Sequence, residues 1–379
     1  MSGRTHRTWL GCAGRARRAL TLTELLVVVL IITALLIVAV PSFSSLMYSS
    51  EAAMAESTVH AAVRGGRDAA LRSSSREDTA VMFAYDPAPG GGRLVAIPCV
   101  KVAEVYDLPT NLPQAKLREV FVPSGVIEPV QLPKNWMVRG YAPANSIDIN
   151  GNWYEGTRYG TNLRRGDWVF PETGFFRPGT ASEGRHRHSF MIRFEAGTGR
   201  VATQTGEAVL VFLPAPAEPP PLLSLPPNDV AALRGLRLSN PRRYVERILS
   251  STTMNQTLKR NLLGVDSADM VTVKPVSAIA VYDETRLAAG LGATLDPTTG
   301  CMYKVRQPNV QPDFVPVTDG AGARTEDNAR TTALVNQWIE GDTNLTNGIQ
   351  SREDGDDPQA RIFVVDRYSG VLQRVETQE

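Results

Sequence analysis

The hydrophobic pattern of the chain begins with a long apolar run near the N-terminus. From Leu25 to Val40 every residue is apolar except Thr33, and the apolar character extends back to Leu20. The 21 residues from Leu20 to Val40 would form a helix of roughly 30 Å at about 1.5 Å per residue, which is long enough to cross a bilayer. The pattern therefore predicts a membrane-spanning helix over residues 20–40.

After Pro41 the pattern becomes amphipathic and rich in alanine. Apolar residues recur at three- and four-residue steps beside charged ones, which is typical of a helix that packs one face. Gly65 and Gly66 weaken such a helix by about 1 kcal/mol each relative to alanine, and a run of three serines at 73–75 ends it. We predict that the helix continues out of the membrane as far as residue 75.

Beyond Asp78 the pattern is that of β-strands separated by turns. The predicted strands are Thr79–Tyr85, Arg93–Val105, Trp136–Tyr141, Gly166–Phe170, Ser189–Glu195 and Glu207–Leu213. The proline-rich segment 214–227 fits neither a central strand nor a helix and predicts an extended linker or long loop.

The second half of the chain mixes helical and strand patterns. It predicts helices at Asn228–Leu236, Pro241–Leu263 and Thr331–Ile339, a strand at Met270–Tyr282, and a closing hairpin formed by Arg361–Asp366 and Val371–Glu376. The half is either a separate lobe or an insertion whose last hairpin returns to the first half.

These patterns together predict an α+β fold. A long N-terminal helix, membrane-spanning in its first half, would pack on an antiparallel β-sheet, with a large additional or inserted lobe. The predicted organisation is a basic leader at 1–19, a transmembrane helix at 20–40, its amphipathic continuation at 41–75, an antiparallel β domain at 76–213, a linker at 214–227, a mixed α/β lobe or insertion at 228–359, and a C-terminal hairpin at 360–379.

The distribution of charge orients the predicted anchor. Five arginines (Arg4, Arg7, Arg15, Arg17 and Arg18) precede the apolar run and no acidic residue does, so the formal charge of +1 for the whole chain leaves −4 for the rest. Positively charged flanks remain in the cytoplasm, which predicts a single-pass membrane protein with its N-terminus in the cytoplasm and its body on the other side of the membrane. The acidic balance of the body argues against non-specific nucleic-acid binding through overall charge.

Three kinds of N-terminal segment combine a basic flank with an apolar run: a secretory signal peptide, a plain signal anchor, and a signal that is cut on the cytoplasmic side of the helix. A signal peptide usually has an apolar region of about 7 to 15 residues before a small-x-small site, and the run here is longer. Glu24 is a costly group in a membrane helix. It either reaches the interfacial water or is kept to meet a positive charge in an assembly.

The segment resembles the N-terminal signal of type IV pilins and of type II secretion pseudopilins. That signal has a basic leader, a small residue before the cut, an apolar first mature residue and a glutamate at the fifth mature position. Counting from Leu20 places Glu24 fifth and Pro41 twenty-second, where many pilins carry a helix-bending proline. The family usually has glycine before the cut, whereas this chain has Ala19.

The resemblance implies a processing pathway and a set of partners. A prepilin peptidase would cut between Ala19 and Leu20 and methylate the new amine of Leu20. Glu24 would then neutralise the N-terminal amine of a neighbouring subunit, Pro41 would bend the helix, and the partners would be other subunits, the inner-membrane assembly platform and membrane lipid. Residues 66–71, followed by a valine-rich strand, are also similar to FimT-like minor pilins and GspH-like pseudopilins, although a generic helix-to-strand junction has the same pattern.

Candidate chemistry outside the helix is sparse. Cys12 lies in the leader, and Cys99 and Cys301 could form a disulfide in an oxidising compartment or remain two unpaired thiols. Arg185 and Arg187 flank a histidine in a basic segment that matches a Gly-Arg-x-Arg pattern through which some FimT-like pilins bind DNA, while a solvated loop is the alternative. The acidic residues 353–357 lack the ligand order of an EF-hand and predict an exposed turn.

No catalytic motif and no metal-ligand spacing occurs in the sequence, so we expect no enzymatic activity and no cofactor. The first hypothesis is a structural subunit, a minor pilin or pseudopilin, of a type IV pilus or type II secretion filament. The alternatives are a binding module at a filament tip, as an adhesin or DNA receptor, and an anchored envelope protein of unrelated role.

Overall fold

The structure is a computed structural model that describes residues 22–73, 77–86, 93–106, 117–143, 146, 166–169, 189–202, 208–214, 225, 227–263, 270–290, 294–295, 302–303, 316–318, 324–326, 335–341 and 359–375. The chain divides into two units, Met1–Glu51 and Ala52–Glu379. The described part of the first unit is a single stretch of helix, and the second unit forms the folded body.

The helices are α1 (Leu22–Arg72), α2 (Pro227–Ser239), α3 (Pro241–Ser250), α4 (Gln256–Leu263), α5 (Glu284–Gly290) and α6 (335–340). The strands are β1 (Thr79–Asp86), β2 (Arg93–Tyr106), β3 (Leu117–Pro123), β4 (Val130–Gln131), β5 (Trp136–Ala142), β6 (Asp167–Val169), β7 (Phe190–Phe194), β8 (Val209–Phe212), β9 (Met270–Pro275), β10 (Ala278–Asp283), β11 (Thr294–Leu295), β12 (Met302–Tyr303), β13 (Pro316–Thr318), β14 (Arg324–Glu326), β15 (Arg361–Val365) and β16 (Leu372–Arg374).

Six strands of the body close into a barrel. Their order is β1-β7-β9-β8-β3-β2, and β2 pairs with β1 to complete the ring, while β4 joins β2 at the side. The pairs β3–β8 and β7–β9 are parallel. The predicted α+β class, with a long apolar helix and a mostly β body, agrees with this architecture. The predicted antiparallel, pilin-like sheet was wrong, because the strands close into a ring that contains two parallel pairs.

The barrel is filled by apolar side chains. Alternate residues of a strand face opposite sides, and Ala80, Met82 and Ala84 of β1 lie in the interior cluster together with Phe121 of β3 and Met191 of β7. All five side chains are fully buried. The interior of this barrel is therefore a packed core.

The outer surface of the barrel is covered on one side by α1, which approaches β1 and β7 at Gly66. A Cβ atom at Gly66 would lie 2.4 Å from Cγ2 of Val81 and 3.4 Å from Phe194. The hydroxyl of Thr79 donates a 2.7 Å hydrogen bond to the carbonyl of Gly66. The glycine pair that weakens an isolated helix thus allows the close approach of α1 to the barrel, and α1 continues through it to Arg72.

The helices α2, α3 and α4 cover another part of the barrel. Tyr244 of α3 stacks on Phe212 of β8 at 5.4 Å between ring centroids, and its hydroxyl donates a 2.9 Å hydrogen bond to the carbonyl of Leu262. Val120 and Val122 of β3 lie in the same buried cluster. This cluster holds α3 and α4 against the outer face of β2, β3 and β8.

A second sheet has the strand order β16-β15-β10-β5-β6. It packs on the barrel where Gly140 of β5 meets the ring of Phe190 of β7, since a Cβ at Gly140 would lie 2.6 Å from that ring. Strands from before and after the proline-rich segment share both this sheet and the barrel. That segment is therefore not a boundary between domains. The closing hairpin β15–β16 pairs with β10 of the second half, and β10 in turn pairs with β5 of the first half.

Most predicted elements are present, but several bounds differ. The predicted helix Pro241–Leu263 is interrupted between α3 and α4, where the side chain of Asn255 accepts a 2.8 Å hydrogen bond from the amide of Leu258 and begins the second helix. The predicted strand Met270–Tyr282 is split after Pro275, which places β9 in the barrel and β10 in the second sheet. Strands β3, β4 and β11 to β14 and helix α5 were missed.

Candidate functional site

Residues 22–51 of α1, the described part of the first unit, expose apolar side chains that could contact a membrane. Leu25, Leu26, Val27 and Val28 are consecutive in α1, and each side chain is about half exposed or more, from 47 to 59%. Four consecutive residues point to all sides of a helix, so α1 presents apolar groups around its whole circumference here. The helix is long and apolar enough to cross a membrane, and no part of its most apolar stretch is buried in the body.

This exposure differs from that of a core helix. A helix that is apolar on every side is stable in water only when other protein elements cover it, whereas none of the most apolar stretch of α1 is buried among the described residues. A signal sequence near the N-terminus can meet the same criteria of length and composition, so it stays an alternative to a permanent anchor.

Glu24 lies in the first turn of the described helix and is exposed. The predicted cleavage and methylation residues, Ala19 and Leu20, lie outside the described residues. The geometry therefore gives the position of Glu24 on the helix, and the processing of the leader stays a prediction.

Pro41 does not end the helix, because α1 is assigned as helical without interruption from Leu22 to Arg72. A proline inside a helix removes one backbone hydrogen bond. Three residues later, the hydroxyl of Ser44 donates a 3.0 Å hydrogen bond to the carbonyl of Val40, within the same helical turn. The predicted bend at Pro41 stays a prediction.

Within the body, α1 has two different faces. Its buried face contains small and β-branched residues, among them Ala52, Ala55 and Val59, which are fully buried. The opposite face exposes Ala53, Ser57 and Ala61, spaced four residues apart. Small residues at this spacing allow two helices to approach closely.

A shallow open groove of about 440 Å³ runs along this exposed face. It is lined by Ala53, Glu56, Ser57, His60, Ala61 and Arg64. Strand β15 fixes the helix beside the groove, since Arg361 forms a 2.6 Å ion pair with Glu56, and the ring of Phe363 meets His60 edge-on at 5.3 Å. The groove is therefore a preformed, partly charged surface on α1.

A charged network closes one end of the barrel. Arg193 of β7 forms ion pairs with Asp78 and with Glu119 of β3, and Lys101 of β2 also pairs with Glu119. The guanidinium of Arg193 lies 5.5 Å above the ring of Phe121 in the next layer of the core. Four charged side chains thus cap the apolar interior.

The network shifts the proton affinities of its members. Burial alone would raise the pKa of Glu119, but hydrogen bonds from Lys101 and Arg193 outweigh it and lower that pKa. Burial likewise disfavours the charged form of Arg193, and its hydrogen bonds to Asp78 and Glu119 raise its pKa overall. Glu119 and Arg193 therefore hold each other in their charged forms, and the network contributes to the stability of this end of the barrel.

A second buried polar cluster lies on the second sheet. Nε of Arg139 donates a 2.9 Å hydrogen bond to the hydroxyl of Tyr282, and Nε1 of Trp168 donates a 2.7 Å bond to Glu340. Glu284, at the start of α5, is 3% exposed, and burial is the main cause that raises its pKa. Its Oε2 atom accepts no hydrogen bond from the described residues.

The other predicted site residues do not form a site in the described structure. Cys99 is a free thiol that is 1% exposed inside the barrel, and the disulfide considered for it stays a prediction because its partner is not among the described residues. Burial raises the pKa of Cys99 to about 12. Cys301, Arg185, Arg187 and the acidic residues 353–357 lie outside the described residues. Within the described part of the chain no group of acidic, histidine or cysteine residues could hold a metal ion.

Comparison of the chain with protein-family models, with curated proteins and with solved structures finds no match. Function is therefore inferred from α1 and from the surfaces of the body.

Proposed function

We propose that the chain is a structural subunit of a membrane-anchored filament, a minor pilin or pseudopilin, that assembles through α1. The observation that carries the proposal is the composition of this one helix. Its first part exposes apolar side chains on all sides, with Glu24 in the first turn, and its second part belongs to the folded body. A helix of this kind can insert in a bilayer and also contact neighbouring subunits.

The chemistry of Glu24 supports assembly more than simple anchoring. A carboxylate in an apolar helix is costly in lipid and is stabilised when it meets a cation in a low-dielectric environment. A neighbouring subunit processed at Leu20 would supply such a cation as its N-terminal amine. The exposed small residues Ala53, Ser57 and Ala61 extend the surface available for helix packing.

The proposal rests on α1 rather than on the body, because the closed barrel differs from a pilin-like sheet. The implied partners are a prepilin peptidase, other subunits, the inner-membrane assembly platform and lipid. The implied location is the inner membrane, with the body in the periplasm or outside the cell.

The first experiment is to determine the N-terminus of the protein in its native membrane by mass spectrometry. Processing predicts a chain that begins with N-methylated Leu20. An intact Met1 would refute the pilin assignment and leave a plain anchor. A chain cut after the apolar helix would instead identify a signal peptide.

The second experiment addresses Glu24. We expect Glu24→Ala to insert in the membrane normally and to be incorporated poorly into filaments, and Glu24→Asp to retain part of the incorporation. Thr33→Ala, a change at an exposed polar position in the same helix, serves as the matched control. Equal incorporation of Glu24→Ala and the control would contradict the assembly role.

A further inference from the structure

The second sheet has two outer strands among the described residues, β6 at one end and β16 at the other. At β6 the amide of Trp168 donates a 3.1 Å hydrogen bond to Oδ1 of Asn336, and Nδ2 of Asn336 donates a 3.3 Å bond to the carbonyl of Gly166. The side chain of Asn336 thus occupies backbone groups at this edge. A further strand would have to displace it.

Strand β16 pairs only with β15 among the described strands, and its hydrogen bonds show which backbone groups face that neighbour. The amide of Asp366 donates a 2.9 Å bond to the carbonyl of Val371, and the amide of Val375 donates a 2.9 Å bond to the carbonyl of Ile362. Hydrogen-bonded pairs alternate along antiparallel strands. Val371, Gln373 and Val375 therefore direct their backbone groups toward β15.

Leu372 and Arg374 lie between these residues, so their N–H and C=O groups point away from β15. Within the described part of the chain, no strand pairs with this side of β16. Outward backbone groups at a sheet edge are a template for the addition of another strand. This edge of the second sheet can therefore accept a partner strand.

The side chains beside this edge include three exposed valines. Val371 is 42% exposed, Val375 is 36% exposed, and Val364 of β15, which is opposite Gln373, is 39% exposed. The four side chains share one face of the hairpin, because alternate residues of a strand point to the same side. A strand added at β16 would cover part of this apolar surface, which favours pairing.

We propose that β16 pairs with β16 of a second copy of the chain, in antiparallel orientation about a two-fold axis at Gln373. In this register the outward groups of Leu372 in one copy meet those of Arg374 in the other, and the symmetry repeats this pair. The second sheets of the two copies then form one continuous sheet. The contact goes beyond the proposed function, because a two-fold contact closes at two copies and requires no filament.

The side chains favour a second copy over an unrelated strand, because this segment is complementary to itself. Val371 lies opposite Val375 of the second copy at both ends, and the two Gln373 amides meet at the axis, where each can donate to the other. Arg374 lies opposite Leu372. A register that paired Arg374 with itself would instead place like charges opposite each other, which is destabilising.

The first test places a proline at Arg374. Because the N–H of Arg374 points away from β15, proline removes an outward donor and keeps the hydrogen bonds within the hairpin. Self-association of the full-length chain in detergent is measured by analytical ultracentrifugation. Arg374→Pro should weaken it roughly tenfold or more, since each dimer loses two hydrogen bonds. Arg374→Ala loses the same charge but keeps the N–H, so this matched control should associate as the wild type does.

Equal association of Arg374→Pro and Arg374→Ala would overturn the proposal, and so would a monomeric wild type. A monomeric wild type that binds a synthetic peptide of alternating valine and threonine at this edge would replace it with strand addition by another protein. The urea midpoints of the two variants should be similar, because the proline removes no hydrogen bond within the hairpin. If proline lowers the midpoint, the cysteine experiment decides.

The second test places a cysteine at the axis. Opposite residues that exchange no hydrogen bonds have Cα atoms about 4.5 Å apart, which a disulfide can bridge. Gln373→Cys should therefore form a disulfide between residues 373 of two copies under mild oxidation, and mass spectrometry of the linked peptide identifies it. Val126→Cys, at a position between β3 and β4 that is 92% exposed, is the control and should not crosslink. Similar yields at the two positions would contradict the proposed register.

These outcomes are separable from the experiments on the N-terminus and on Glu24. Association through α1 involves neither Arg374 nor Gln373, so it should persist in Arg374→Pro and give no disulfide at residue 373. An intact Met1 together with successful crosslinking at residue 373 would remove the pilin assignment and keep the contact between bodies.

Discussion

The approach of α1 to the barrel can be tested by comparing two neighbouring glycines. A Cβ atom at Gly65 would have no described atom within 4 Å, whereas a Cβ at Gly66 would lie 2.4 Å from Cγ2 of Val81. Both positions lie inside a helix, where alanine is favoured over glycine by about 1 kcal/mol. Gly65→Ala should therefore stabilise the protein by up to about 1 kcal/mol.

Gly66→Ala gains the same helix propensity but must displace Val81. That side chain is β-branched, fully buried and part of β1, so it has little freedom to rotate away. Overpacking of a core costs about 1–3 kcal/mol. The net effect of Gly66→Ala should be a destabilisation of about 1 kcal/mol, and the two alanine variants should differ by about 2 kcal/mol.

The assay is urea unfolding of the full-length protein in detergent, followed by the fluorescence of the buried Trp136 and Trp168. The two single variants should shift the unfolding midpoint in opposite directions. In a double-mutant cycle, Val81→Ala should relieve the clash, so Gly66→Ala with Val81→Ala should be more stable than the sum of the single effects. Equal shifts for Gly65→Ala and Gly66→Ala would refute the close approach of α1 to β1.

Three further predictions concern titratable groups of the body. Because the pKa of Glu119 is lowered in the folded state, its contribution to stability is present above its unfolded pKa and is lost as pH falls through the folded pKa. Glu119→Gln should cost on the order of 2 kcal/mol at pH 7, and its urea midpoint should converge with that of the wild type as pH falls through the folded pKa. Because burial raises the pKa of Glu284, its contribution to stability is lost as pH rises through its folded pKa. Glu284→Gln should therefore be at least as stable as the wild type at pH 8. A less stable variant would contradict the conclusion that burying this carboxylate is unfavourable. Peptide mapping after alkylation should find Cys99 unmodified in the folded protein and modified in urea, whereas modification without denaturant would contradict its burial.

Individual helices, strands and turns could be predicted because each depends on residues that are close together in the sequence. The apolar run before Pro41 predicts a helix through its length alone, and the turn at Gly370 follows from a residue that adopts a positive φ of 62°. The strand pattern of Thr79–Tyr85 likewise agrees with β1. In each case the physical cause lies within a few residues of the element.

The closure of the barrel could not be predicted, because it depends on contacts between distant residues. The ion pair of Arg193 with Glu119 joins residues 74 positions apart, and no periodicity reports such a pairing. The parallel pair β7–β9 depends on a strand that follows the proline-rich segment. That segment indicated a boundary by its composition, although the sheet is continuous across it.

Of the residues of the candidate site, some could likewise be identified from the sequence and others could not. Glu24 was identified from its sequence position, since a carboxylate next to an apolar run is unusual by itself. The role of Gly66 was missed, because a glycine inside a helix indicates weakness until its neighbour Val81 is known.

The closed barrel also determines which surfaces are available for assembly. Strands at an open sheet edge can recruit another chain through backbone hydrogen bonds, but six strands of the body pair with each other around the ring. Within the described residues, the barrel offers only the two-residue strand β4 at its side. Among the described strands of the two large sheets, the other edge strands are β6 and β16 of the second sheet. The barrel itself can therefore contribute to contacts between copies mainly through side chains, which favours the exposed face of α1 over strand addition at the barrel.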